Sequence, residues 1–365
     1  MLKLFFAFCL SQVFAAPVPL KFKQVSEGQN ITAEQILKVD DVIWGFDFLP
    51  DGRIVFTERE GRMRIFDPRT EALTLLKGVP KVLAEGQGGL LDVKLHPDFK
   101  NNRLVYFVYA IERDGINTTA LARAELAVDS LDNLKVLFVA KGGGSKDMHF
   151  GARIAFDNKG YLFLCIGERN ERHDAQSLST HSGKTVRLHD DGRVPQDNPF
   201  AAKTGALPEI WSYGHRNPQG MYYDLDSGEL WLSEHGPRGG DELNLIRPGK
   251  NYGWPVITYG REYYGPKIGE PAKEGMEQPV KYYVPSIAPS GLVRYKGDHF
   301  SKWKNDFFTG ALVLTHLNRL VIRDGKPVKE ERLLKEWGER IRNVKQGPDG
   351  FIYVSTDSGK LARLR

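Results

Sequence analysis

Cysteine is nearly missing from this chain, with two residues in 365, Cys9 and Cys165. Cys9 falls in an N-terminal segment that reads as a leader, so the mature chain keeps one thiol and has no internal disulfide available. An exported protein of that kind must rest on its core. Runs of like charge are absent too. The net charge of +5 comes from 51 basic and 46 acidic side chains scattered along the chain. That scatter excludes a basic track for nucleic acid. Low-complexity tracts do not occur, so no long disordered tail is expected. Convincing amphipathic helices are scarce; residues 177–185 and 328–337 are the two short candidates.

The apolar run at 4–10 lies within MLKLFFAFCLSQVFA, after Lys3 and before Val13-Phe14-Ala15. This pattern is a secretory signal peptide over residues 1–15, too short to span a bilayer. Residues 16–365 are then the mature chain, periplasmic or secreted and without stable membrane insertion. With 41% hydrophobic and 27% charged residues, the body is fully globular.

That body repeats itself. A turn containing Asp or Asn and Gly, a short apolar strand and a polar loop recur in four segments. They are PDGRIVFTEREGRMRIFD from Pro50, DNKGYLFLCIGERNER from Asp157, DSGELWLSEHGPRGGDE from Asp226 and PDGFIYVSTDSGKLARLR from Pro348. Weaker copies cover 96–110 and 303–325. Asx-Gly turns between β-branched and aromatic runs signal hairpins. Six hairpin-rich units predict an all-β, six-bladed β-propeller in one domain, with the last strands closing the ring against N-terminal ones. A pair of β-sandwiches is the alternative, and repetition over the whole length argues against it.

Propeller loops converge around a central channel, so function is expected in the polar loops after the apolar strands. Two rich loops flank the strand at 229–233: 214–220, with His215, Arg216 and Asn217, and 235–242, with His235, Gly236, Pro237, Asp241 and Glu242. Together they predict a ligand or metal site. Gln87 sits among glycines just before a strand, suited to close approach by a ligand. His149 precedes an apparent strand whose alternation would put His149, Gly151 and Arg153 on one face. An imidazole there is a candidate general base. The charges of 167–174 read mostly as a solvated rim. Tyr263 could wall a flat ligand, and Arg340 with Arg342 forms a fork for carboxylates or phosphates.

These loops carry a resemblance to the soluble PQQ-dependent sugar dehydrogenases, and within them to the aldose sugar dehydrogenase branch. It rests on GQGGLLDVKLHPDF, HFGARIAF, AQSLSTHSGKTVRLHDDG, IWSYGHRNPQGM, SEHGPRGGDELNLIRPGKNYGWP and RIRNVKQGPDGFIYVSTD, over about residues 45–364. The resemblance implies an exported six-bladed propeller that oxidises the C1 hydroxyl of aldoses to the lactone and passes electrons to an acceptor still to be identified. It further implies that His149 is the general base while hydride passes to pyrroloquinoline quinone (PQQ), with Arg216 and Asn217 at the reacting carbonyl. Gln87, Tyr263, Arg340 and Arg342 would hold the quinone. The carbonyls of Gly236 and Pro237 would bind the Ca²⁺ beside it, and Glu242 and Tyr252 a second, structural Ca²⁺. His173 falls near the substrate side in a weaker match.

One departure is plain. Where relatives carry Gly-Ala-Leu-Lys, this chain reads Gly310-Ala311-Leu312-Val313, losing a cation from the cofactor pocket; Lys345 and Arg319 are the nearby candidates to replace it. A Ca²⁺-dependent propeller lactonase and a non-catalytic binding propeller are the other readings. The arginine fork argues against the first, while Val313 keeps the second open.

Overall fold

The fold is taken from a computed structural model, in which residues 18–20, 24–144 and 147–365 are described. The expected leader, Cys9 included, lies outside them. The described residues form six antiparallel blades around one axis. Blade 1 covers residues 43–75, blade 2 covers 90–139, blade 3 covers 154–213, blade 4 covers 217–283 and blade 5 covers 289–333. Blade 6 combines 341–364 with 33–38. In it, Lys360–Leu364 pairs antiparallel with Ala33–Lys38, with Lys360 opposite Lys38 and Leu364 opposite Ala33. The ring is therefore closed by hydrogen bonds between the two ends of the chain, as the repeats predict.

The six sequence repeats fall one to a blade, each marking the turn from the inner strand into the second. Those second strands include Ile54–Glu58, Leu162–Ile166 and Ile352–Thr356, all buried from end to end. Neighbouring blades cover both faces of such a strand, so it reads as a continuous apolar run instead of an alternating one. Side chains from adjacent blades interlock between them, as Trp44, Leu91, Tyr106, Phe150 and Leu164 do around blades 1 to 3.

Neither candidate helix forms. Residues 177–185 run as a loop into the buried strand Lys184–Leu188. Residues 328–337 are the outer strand Lys326–Leu333 of blade 5 followed by one 3-10 turn at Lys335–Trp337. An outer strand packs on one side only, so charged residues fill it and imitate a helical surface.

All six inner strands start at one end of the channel, here called the front. Arg153 divides front from rear. Its guanidinium bonds Asp92 Oδ1 at 3.1 Å, the Gln219 carbonyl at 2.7 Å and the Arg342 carbonyl at 2.8 Å, over the face of Trp44. One buried side chain thus ties blade 3 to blades 2, 4 and 6 across the axis.

Candidate active site

His149 stands at the front of the channel, buried at 7% exposure. It is not in a strand. His149, Gly151 and Ala152 have φ of 55°, 70° and 85°, so the backbone turns and strand Ile154–Phe156 begins only later. The two-residue alternation expected here fails for that reason, and Arg153 points to the axis instead of accompanying His149. Gly167 permits the arrangement, because a Cβ there would lie 1.9 Å from the His149 carbonyl oxygen. Gln87 fixes the same loop from blade 2. Its side-chain carbonyl accepts from His149 N at 2.8 Å, and its own N–H donates to the Asp147 carbonyl at 2.7 Å.

Glu168 Oε1 accepts a hydrogen bond from His149 Nδ1. That contact holds the proton on Nδ1 and leaves Nε2 as the basic nitrogen. Burial lowers the His149 pKa from its ordinary value; Glu168 opposes the shift, and Arg216 and Arg169 reinforce it. Burial and the two arginines favour the neutral imidazole. Glu168 and Arg169 are each 1% exposed, so the reading of 167–174 as a solvated rim is wrong for these two. His173, by contrast, is exposed.

Glu168 joins His149 to the next blade, since its N–H donates to the Arg216 carbonyl at 2.8 Å. Asn217 Oδ1 accepts from Gly151 N at 3.3 Å. His149, Arg216 and Asn217 are thereby brought together across blades 3 and 4. Arg216 is fixed by Glu234, whose Oε2 accepts its N–H at 2.7 Å while Oε1 takes His215 Nδ1 at 2.9 Å. The Arg216 guanidinium lies over Trp254 and donates to the Gly236 carbonyl at 2.7 Å. Asp241 builds the loop carrying that carbonyl: its carboxylate accepts from Gly236 N, Ser286 Oγ, Ile287 N and Ala288 N at 2.7–2.9 Å.

The fork of Arg340 and Arg342 closes on a carboxylate of the protein itself. Arg340 Nε reaches Asp357 Oδ2 at 2.8 Å, and Arg342 Nε reaches Oδ1 at 2.7 Å. Burial works to raise the Asp357 pKa, but the two guanidiniums outweigh it and hold the carboxyl below its ordinary value. Two cations share one anion, so the pair keeps a positive charge. Tyr263 is 68% exposed on its loop, at the rim and not within the packed cluster. Val313 is 45% exposed in a front turn, next to Leu312, whose carbonyl accepts from Arg340 Nη1 at 2.7 Å. Neither expected replacement for the missing lysine is available. Arg319 is bound by Asp306, Glu27 and Glu331, and Lys345 lines the rear cavity beside Asp47.

Glu168 and Glu234 are the residues that sequence reasoning missed. A shared signal existed. Glu58, Glu168, Glu234 and Asp357 each stand at or just past the front end of a second strand, and each meets a basic partner: Arg64, His149, His215 and Arg342. An acid after the apolar run is a device repeated in four blades.

The donor set fits an anionic quinone. Arg216, Asn217, Gln87, Arg340 and Arg342 offer guanidinium and amide groups, with Asp357 the one carboxylate bonded to the fork. For Ca²⁺ the chemistry is that of hard oxygens. Glu242 lies opposite Glu234 in neighbouring strands, and both border a small cavity with Tyr252 and Gly236. Burial first and then Glu234 push the Glu242 pKa well above the ordinary value, a strain that a cation would relieve. The Tyr252 hydroxyl is already bonded to the Leu245 carbonyl and Arg247 N, leaving its backbone carbonyl as the possible ligand. Among the described residues no cluster of three or more His, Cys, Asp or Glu could hold a metal, so carbonyls must complete either site.

Comparison with known proteins follows the same line. The sequence model of the family described as "Glucose / Sorbosone dehydrogenase" matches residues 40–363. An aldose sugar dehydrogenase of Escherichia coli is 44% identical over 330 residues, covering 88% of this chain and 89% of that protein. The crystal structure of the soluble aldose sugar dehydrogenase from Escherichia coli in the apo-form superposes with a TM-score of 0.88 at 42% identity, covering 92% and 99% of the two chains. The PQQ-bound form of an aldose sugar dehydrogenase from Streptomyces coelicolor gives a TM-score of 0.78 at 25% identity, covering 92% and 98%.

Proposed function

Because the chain belongs to the glucose/sorbosone dehydrogenase family, we propose that it is an aldose sugar dehydrogenase that uses PQQ and Ca²⁺ to oxidise the C1 hydroxyl to the lactone. The observation that carries this reading is the buried His149–Glu168 pair beside Arg216 and Asn217. When bound, the quinone supplies a two-electron acceptor for the C1 hydride, and Ca²⁺ polarises it.

The chain's own residues do the rest. His149 Nε2 takes the hydroxyl proton, and the imidazolium so formed is stabilised by Glu168 at Nδ1. The Arg216 guanidinium, held by the Gly236 carbonyl and lying over Trp254, would stabilise negative charge developing on the bound quinone. Gln87, Asn217, Tyr263, Arg340 and Arg342 would hold the cofactor. The Gly236 and Pro237 carbonyls are the ligands assigned to the Ca²⁺ at the quinone. The Gly236 oxygen already accepts from the Arg216 guanidinium, so this carbonyl would have to serve both groups. Glu242 and the Tyr252 carbonyl are assigned to a second Ca²⁺.

Export to the periplasm or medium is part of the proposal and rests on the leader at 1–15; N-terminal sequencing of exported protein should begin at Ala16. The central test is reconstitution of metal-free apoprotein with PQQ and Ca²⁺, followed by dye reduction across a panel of aldoses. Saturable, aldose-dependent reduction that chelation abolishes is expected. PQQ binding without aldose oxidation would overturn the activity, and full activity without metal would remove Ca²⁺.

A further inference from the structure

Behind the Arg153 layer the channel opens into a rear cavity of about 260 Å³ lined by all six blades. Its charges do not balance locally. Arg153 is matched by Asp92 at 3.1 Å. Arg294 and Lys296, at the mouth, are matched by Asp224 and Asp226 at 2.7–3.2 Å. That leaves Lys94 and Lys345, at 3.7 and 3.3 Å, sharing Asp47 alone. The Asp47 oxygens are further engaged by Phe48 N at 3.2 Å and Leu95 N at 2.9 Å.

Donors exceed acceptors here. Lys345 Nζ makes no aligned hydrogen bond, and neither does Nδ2 of Asn343, a residue 2% exposed that lines the same cavity. Asn343 and Lys345 are two apart on one inner strand and so share a face. The Asn343 Oδ1 is already engaged, accepting from Val344 N at 3.0 Å. A buried amide N–H left without a partner is costly, and an acceptor is what the cavity lacks.

We propose that the rear cavity binds a small monoanion, a carboxylate, between Lys94, Lys345 and Asn343. The surplus of one positive charge sets the ligand's charge, and the cavity volume of about 260 Å³ bounds its size. Planar carboxylate oxygens can accept from two ammonium groups and an amide at once. Lys94 belongs to blade 2, Asp47 to blade 1, and Asn343 and Lys345 to blade 6. The bound anion therefore links the last blade to the first two across the axis, and it stabilises the folded ring by mass action.

The test titrates the whole protein with sodium acetate, and in parallel with sodium bromide, at constant ionic strength. Calorimetry and melting temperature are the readouts. Saturable acetate binding with a stoichiometry of one and a rise in melting temperature is expected, with bromide weaker. Lys345→Gln and, separately, Lys94→Gln should weaken binding tenfold or more, while Lys135→Gln on the outer edge of blade 2 should not change it. Asn343→Asp, which replaces the donor by an acceptor, gives an independent arm and should abolish binding. Binding of bromide alone, no saturable binding, or undiminished binding in Lys345→Gln would overturn the proposal.

Discussion

Four rear turns and the loops around His149 solve the same backbone problem differently. At the rear turns of blades 1, 3, 4 and 6 the left-handed conformation falls to Gly52, Gly160, Gly228 and Gly350, where no Cβ is strained. At the front it falls to His149, Ala152, Arg169 and Asn170, with φ between 55° and 85°. Side chains in that region persist only where surrounding contacts impose them. Here Gln87, Gly167 and Glu168 do so. Those four glycine turns are punctuation, and the loops around His149 are a framework that holds functional groups in conformations they would not choose.

The largest expected effect separates the two ends by chemistry. His149→Ala should lower kcat by ~10²–10⁴-fold, the usual range for loss of a general base, with PQQ still bound. Steady-state kinetics on reconstituted protein, together with the quinone spectrum, decide this. Near-parental turnover would remove His149 from the mechanism. A matched glycine pair comes next. Gly160→Ala meets nothing within 4 Å but keeps φ at 83°, so it should cost about 1–2 kcal/mol of stability and leave kcat alone. Gly167→Ala must displace the His149 carbonyl and should lower kcat as well as stability. Denaturant titration and kinetics on both variants check the contrast.

A smaller effect tests how Glu168 acts. A base works unprotonated, so activity falls as pH drops through its pKa. The lowered His149 pKa puts the acid limb of kcat/KM below the ordinary imidazole range. Glu168 opposes that lowering, so Glu168→Gln should move the limb to still lower pH while the plateau declines through loss of the fixed tautomer. An unmoved limb in the pH profile would mean that Glu168 only packs.

The propeller was legible because its signal repeats: an Asx-Gly turn and a buried apolar strand recur once per blade, and closure follows from where the copies stand. The site was legible through its loops, and Gln87, His149, Arg216 and Asn217 do meet at the front. What escaped reading was long-range pairing. Whether Glu168 is solvated or paired with His149 depends on a contact 19 positions apart, made by backbone whose φ values defeat strand alternation. Arg340 and Arg342 were read as a fork for a ligand, yet Asp357, 15 residues beyond Arg342, occupies its centre. The helix at 328–337 failed for a related reason, since an outer strand and a helix surface share a polar composition.

The smallest expected effect concerns Val313, in the front turn where the resemblance led a lysine to be expected. The side chain is partly exposed, and its backbone N–H is bonded to the Ile287 carbonyl at 3.0 Å, so a longer residue can be carried without moving the turn. The neighbouring Leu312 carbonyl is bonded to Arg340, which sets position 313 beside the arginine fork. Asp357 already cancels one of the two charges of that fork. Val313→Lys therefore adds a cation where the site is underprovided for a ligand carrying several carboxylates. One charge-assisted hydrogen bond contributes ~1.5–3 kcal/mol. Part of that is lost in ordering an exposed lysine, so about tenfold tighter PQQ binding is the expected outcome, with kcat unchanged. Equilibrium titration of apoprotein with PQQ, in parent and variant, measures it. Equal affinities would mean that Arg340 and Arg342 hold the PQQ carboxylates without help, and that the fork's remaining charge suffices without a cation at position 313.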